Sequence, residues 1–122
     1  MKICITSSGN NLDSNIDLRF GRCLFFLIVD TETLEFEAIE NAYLEATGGA
    51  GVQAGQLMIN KKVKVVLTGH VGPNAFQVLS SAGIEILTVI SGTVKEVIVN
   101  YKQERYQTTT NSTVNSKFGI TK

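Results

Sequence analysis

The hydrophobic period changes once along this chain, and that change restricts the fold more than any single motif. Residues 2–6 (KICIT) and 23–30 (CLFFLIVD) are short apolar runs, rich in β-branched or aromatic side chains and bounded by Gly, Asn, Asp and Ser. Buried strands read this way. EFEAI at 35–39 alternates charged and apolar residues, as a half-exposed edge strand does, and a turn around Asp30 to Thr33 joins it to the second run. Beyond it the period lengthens. Ala50, Ala54, Leu57 and Met58 recur at helical spacing after GGAG, and the stripe stops near Lys61-Lys62, whose charges suit a helix C-terminus. VKVVLT (63–68) reads as a strand. Gly72-Pro73 opens a second helix with Phe76, Leu79 and Ala82 on its inner face and Gly83 as its stop. IEILTV (84–89) is a further strand. Thr93 and Glu96 form a capping box for a third helix, with Val94, Val97, Ile98 and Tyr101 as its apolar face.

The element order is therefore β β β α β α β α. Three strands followed by helix-strand alternation predict an α/β domain built on a five-stranded mixed sheet. The second strand should run antiparallel to the first, the later ones parallel through right-handed crossovers. The expected strand order is 3-2-1-4-5, with helices on both faces. A chain of 122 residues fits one domain and buries roughly two-thirds of its extended surface on folding. That domain is expected over 1–106. Residues 107–122 (QTTTNSTVNSKFGITK) are polar and read as a disordered tail.

Charge narrows the function classes. Eleven bases balance eleven acids, so the broad positive field that drives nucleic-acid backbone binding is missing. The balance is a cancellation: residues 1–100 hold seven bases and ten acids, whereas 101–122 hold four bases and one acid. Asp30, Glu32, Glu35, Glu37, Glu40 and Glu45 lie in one stretch without a base. Two cysteines, Cys4 and Cys23, match neither a disulfide framework nor a zinc motif. No secretory signal is recognisable at the N-terminus and no apolar run approaches eighteen residues, so a reducing cytoplasm and no membrane partner are expected.

In the predicted sheet the chain leaves the first and fourth strands in opposite directions, which opens a crevice beyond their C-terminal ends. Three glycine-bearing loops converge there: Ser7 to Arg22, Gly48 to Gly51 and Gly69 to Asn74. Two helix N-termini would aim N–H groups and positive dipole ends at one place, around Gly49, Gly51, Gly72 and Asn74, with Arg19 and Arg22 in reach. The expected ligand is anionic. Each element has a plainer reading: the glycines as turn makers, the arginines paired with Asp13 or Asp17, Cys4 as core. Cys23, beside the two arginines, could be a thiolate and soft-metal ligand, and His70 a second contact. Catalytic patterns are poor. GxSxG is missing, and Cys23 with His70 would lack an orienting third group.

The MKI start, RFGRC running into FFLIVD, GGAGVQAGQL, TGHVGPNAFQVL, AGIEI and TVKEVI together resemble the dinitrogenase iron-molybdenum cofactor biosynthesis family over residues 1 to about 105. That family includes NifX, NafY and the C-terminal part of NifB. The resemblance implies a ribonuclease-H-like α/β fold and a protein that binds or carries iron-molybdenum or other metal-sulfur clusters without catalysing a reaction. The family's HFGRA stands here with Arg19 at the histidine position and Cys23 at the alanine position, as in a stand-alone RFGR subgroup. Some similar small proteins hold a molybdenum-copper sulfide cluster without covalent ligation. Arg19, Arg22 and the N–H groups around Gly49, Gly51, Gly72 and Asn74 would then hold the cluster. Phe20 would form a wall and Gly21 shape the loop, with Cys23 or His70 as optional metal contacts. Two rival expectations remain: an interaction module docking a recipient protein or partner ATPase through the acidic 30–45 hairpin, and, by fold analogy only, a nuclease.

Overall fold

The computed structural model describes residues 1–43, 49–88, 90–109 and 112. Glu45, Gly48, Val89 and most of the expected tail lie outside the described residues. Eight elements follow the expected order: β1 (Lys2–Ser7), β2 (Phe25–Asp30), β3 (Phe36–Glu40), α1 (Ala50–Asn60), β4 (Val65–Leu67), α2 (Pro73–Ser81), β5 (Glu85–Leu87) and α3 (Val94–Lys102). They build one five-stranded sheet in the order β3-β2-β1-β4-β5. β2 is antiparallel to β1 and β3, whereas β4 is parallel to β1 and β5. The predicted α/β arrangement is the one observed.

Strand alternation divides the core into two layers. Cys4, Phe26, Ile28, Val66 and Ile86 face Ala54 and Met58 of α1 and Ala75 and Leu79 of α2. Ile3, Ile5, Leu27, Val29, Val65 and Leu87 face Val94, Val97 and Ile98 of α3. Two helices therefore cover one side of the sheet and one covers the other. Residues 3–7 of β1 are all buried, as a central strand covered on both faces requires.

Helix α2 presents Ala75 rather than Ala82 to the core, because Ala82 is already the C-cap residue, exposed where the chain leaves the helix before Gly83 at φ 77°. Helices α1 and α2 pack through small residues. A Cβ on Gly51 would lie 3.1 Å from the Ala75 Cβ, and one on Gly55 would lie 2.8 Å from Val78 Cγ1. The strands are shorter than the apolar runs: β2 begins at Phe25, two residues after Cys23, and β4 and β5 span three residues each. Residues 107–109 are not a free tail. The Thr109 N–H donates to the Ile86 carbonyl at 2.7 Å, the Thr88 and Thr109 hydroxyls lie 2.6 Å apart, and the Thr108 hydroxyl bonds the Glu85 carboxylate. This segment covers the outer edge of β5.

Candidate functional site

The seventeen residues between β1 and β2 are pinned across the C-terminal edge of the parallel strands. Their first half docks on the start of α3: the Val94 and Lys95 N–H groups donate to the Ser14 and Leu12 carbonyls, and Ile16 N–H to Gly92. Their second half docks on the segment after β4. The His70 N–H donates to the Leu18 carbonyl at 2.7 Å, and the Phe20 N–H donates back to the His70 carbonyl at 3.0 Å. Beneath the loop, Thr6 Oγ1 lies 2.7 Å from the Asp17 carbonyl and 2.8 Å from Thr68 Oγ1, joining the loop to the ends of β1 and β4.

This docking requires glycine. A Cβ on Gly69 would sit 2.6 Å from the Leu18 carbonyl oxygen and 2.8 Å from the Leu18 Cα. At Gly21 the backbone turns with φ 92°, and a Cβ there would meet the Gly51 Cα at 3.0 Å. The Arg19-to-Arg22 segment thus lies against the first turn of α1 and beside His70, and the Gly51–Ala75 contact places the start of α2 next to both. Three expected loops converge, and so do both helix N-termini.

Those N-termini differ from that of α3. Thr93 accepts the Glu96 N–H, and the Glu96 carboxylate accepts the Thr93 N–H, so α3 is capped by its own side chains. These bonds hold the Glu96 carboxyl below its ordinary pKa. The stabilisation is therefore present above the unfolded carboxyl pKa and fades as pH falls through the lower folded value. Helices α1 and α2 have glycine N-caps, Gly49 and Gly72, and no side-chain cap. Their first N–H groups have no intrahelical acceptor. Gly49 needs its left-handed φ of 75°, but Gly72 is extended and a Cβ there would meet nothing within 4 Å. Glycine at 72 keeps open space over the helix end without a conformational reason.

Arg19 is exposed and Arg22 half-buried. Asp17 accepts the backbone N–H of Arg19 at 3.2 Å, and among the described residues no ion pair engages the Arg19 guanidinium. Asn74 is exposed beside the open Gly72. Phe20 is buried beneath the loop, edge-on to Phe26 with ring centroids 5.9 Å apart, so it anchors the segment from below. His70 is half-exposed with its Nδ1 buried, and its backbone is the loop's clamp.

The two thiols behave alike. Cys4 is core, as expected, and Cys23 is also fully buried beside it. Burial pushes the Cys23 thiol far above its ordinary pKa, and the negative Asp17 adds to the rise against smaller opposing backbone hydrogen bonds. The arginines precede Cys23 in sequence but do not make it a thiolate. Cys4 is raised by burial and by Cys23. Both thiols should resist a disulfide reagent in the native protein at pH 8 and react once it is denatured. Rapid native labelling of Cys23 would contradict this burial.

Asn41, just past β3, carried no sequence signal yet fixes the RFGR segment. Its buried side-chain amide donates to the Gly21 carbonyl at 3.1 Å and the Cys23 carbonyl at 2.8 Å, while its Oδ1 accepts the Tyr43 N–H. The acidic stretch has its own partners: Glu37 pairs with Lys61 at 3.2 Å and Glu32 with the N-terminal amine at 3.7 Å. Such exposed pairs contribute little. Among the described residues, no three His, Cys, Asp or Glu side chains gather as a metal site, and no helix is long and apolar enough to cross a membrane.

The fold is a small α/β domain in which the β1–β2 loop meets the glycine-capped starts of α1 and α2 beyond the C-terminal ends of β1 and β4. The chain belongs to the dinitrogenase iron-molybdenum cofactor family, whose model matches residues 1–104. Membership gives it a metal-cluster or cofactor-related binding role. The apo form of the orange protein from Desulfovibrio gigas is 34% identical, with a TM-score of 0.90 over 93% of this chain and 96% of that one. A structure described as a candidate NifB protein from Thermotoga is 32% identical, with a TM-score of 0.79 over 93% and 98% of the two chains. An uncharacterized protein of Methanocaldococcus jannaschii is 31% identical over 101 residues, 80% of this chain and 82% of its own.

Proposed function

We propose that this protein carries an anionic metal-sulfur cluster, iron-molybdenum-cofactor-like or a molybdenum-containing sulfide, as cargo in the crevice and does not transform it. The observation that carries this reading is the convergence of the RFGR segment with two helix N-termini that no side chain caps. Each exposed helix N-terminus favours an anion by about 0.3–1 kcal/mol, and two acting with guanidinium groups add charge and hydrogen bonds at one point. The open space over Gly72 gives a large anion access to backbone N–H groups there. Arg19, Arg22 and the N–H groups around Gly49, Gly51, Gly72 and Asn74 would hold the cluster, with Gly21 shaping the turn and Phe20 anchoring it. The buried thiols and the lack of a ligand-rich group among the described residues favour capture of a preformed cluster by charge and hydrogen bonds. His70, half-exposed and bridged to Arg19, would be the optional metal contact. That the orange protein has an apo form supports this reading, since an apo form implies a group that can be bound. A protein recipient, in a reducing compartment, completes the role.

The test is anaerobic reconstitution with tetrathiomolybdate, with and without copper or iron, followed by desalting. Retained charge-transfer absorbance is expected for the native chain, and its loss for Arg19→Ala/Arg22→Ala. If the native protein emerges colourless from every mixture, the cargo reading fails.

A further inference from the structure

An open cavity of about 450 Å³ lies between the last turn of α3, β5 and the end of β2, away from the glycine-capped helix starts. Its size is within the range of small-molecule sites. Leu87 lies behind it, only 2% exposed, and the half-buried Tyr101 and Tyr106 supply its apolar, aromatic surface. Two carboxylates, Glu85 and Glu104, line it against one ammonium, that of Lys102, which already donates to the Thr31 carbonyl at 3.1 Å. The cavity has this shape because the chain after α3 turns back along β5, held by Thr109 on Ile86 and Thr108 on Glu85.

Glu104 is placed there at a conformational cost. Helix α3 ends with Glu104 N–H on the Tyr101 carbonyl and Arg105 N–H on the Asn100 carbonyl, and Glu104 takes φ 57°. That left-handed position after a helix ordinarily goes to glycine. A glutamate here gives up backbone ease and adds a carboxylate to an aromatic-lined cavity. Burial and the neighbouring Glu85 raise the Tyr101 hydroxyl pKa, so it stays a neutral donor and acceptor.

We propose that this cavity binds a small organic cation, an amine or guanidinium on a short apolar stem. Carboxylates pair with the charged head, and aromatic faces attract cations while covering the stem. The site is independent of the cluster crevice.

Titrations of the full chain by amide NMR, with putrescine and agmatine as ligands and butyrate as an anionic control of similar length, test it. Saturable shifts centred on Thr31, Tyr101, Glu104 and Tyr106 are expected with the amines, and weaker binding at higher salt. Glu104→Gln should weaken the amines about tenfold, the loss of one charge-assisted bond. Glu104→Gly should weaken them similarly while raising the melting temperature, because it relieves the helix end. Arg19→Ala/Arg22→Ala should bind amines as the native chain does, which separates this site from the cargo reading. Equal or stronger shifts with butyrate at these residues would overturn the proposal, as would amine shifts that never saturate.

Discussion

Asn41→Leu is expected to destabilise the protein by about 2–5 kcal/mol, since each buried carbonyl left without its donor costs about 1–3 kcal/mol. Leucine keeps the branched shape, though not the volume, and removes the amide that reaches Gly21 and Cys23. Both carbonyls belong to the turn that carries Arg19 and Arg22, so under the proposed cargo role the variant should also lose cluster on desalting where the native chain retains it. Urea denaturation and the desalting assay read the two effects. A loss below about 1 kcal/mol would mean that water replaces the amide, and that the turn stands without Asn41.

Gly69→Ala should cost about 3 kcal/mol. The new methyl group would stand 2.6 Å from the Leu18 carbonyl oxygen and under 3 Å from its Cα, and backbone cannot swing away as a side-chain tip can. Overpacking of this kind costs about 1–3 kcal/mol, and lifting the loop also breaks the two Leu18–His70–Phe20 hydrogen bonds, about 1 kcal/mol each. Gly72→Ala is the matched control. It meets no atom within 4 Å and keeps an allowed backbone, so its stability should stay within about 1 kcal/mol of native while cluster retention falls. Equal stability losses in the two variants would show that the steric reading of Gly69 is wrong.

The architecture was legible because hydrophobic period and turn chemistry are local properties. KICIT, VKVVLT and Gly72-Pro73 declare two central strands and a helix start from a few residues each, and the sheet order follows from connection rules. The meeting of the β1–β2 loop with the starts of α1 and α2 follows from that order. What the sequence hid depends on contacts between distant residues. Asn41 is an ordinary post-strand asparagine until the fold brings it within 3.1 Å of Gly21, twenty residues away. Gly55 reads as a weak point in a helix until Val78 is placed against it. Cys23 shares a segment with two arginines, yet the turn at Gly21 sends its side chain into the core layer with Cys4, where burial outweighs neighbouring charge. Residues 107–109 lack the apolar content that marks a packed segment, and backbone and hydroxyl bonds to β5 order them instead.

The contrast among the three helix starts has a thermodynamic meaning. A serine or aspartate at position 72, where the backbone is already extended, could supply the missing cap, typically worth about 1 kcal/mol, and α3 shows that the chain can build one. By leaving the α2 end bare, the domain stays below the stability open to its own fold, and the proposed ligand would make up the difference. Occupancy and folding free energy are then coupled, so the loaded form should resist unfolding in proportion to the logarithm of free ligand.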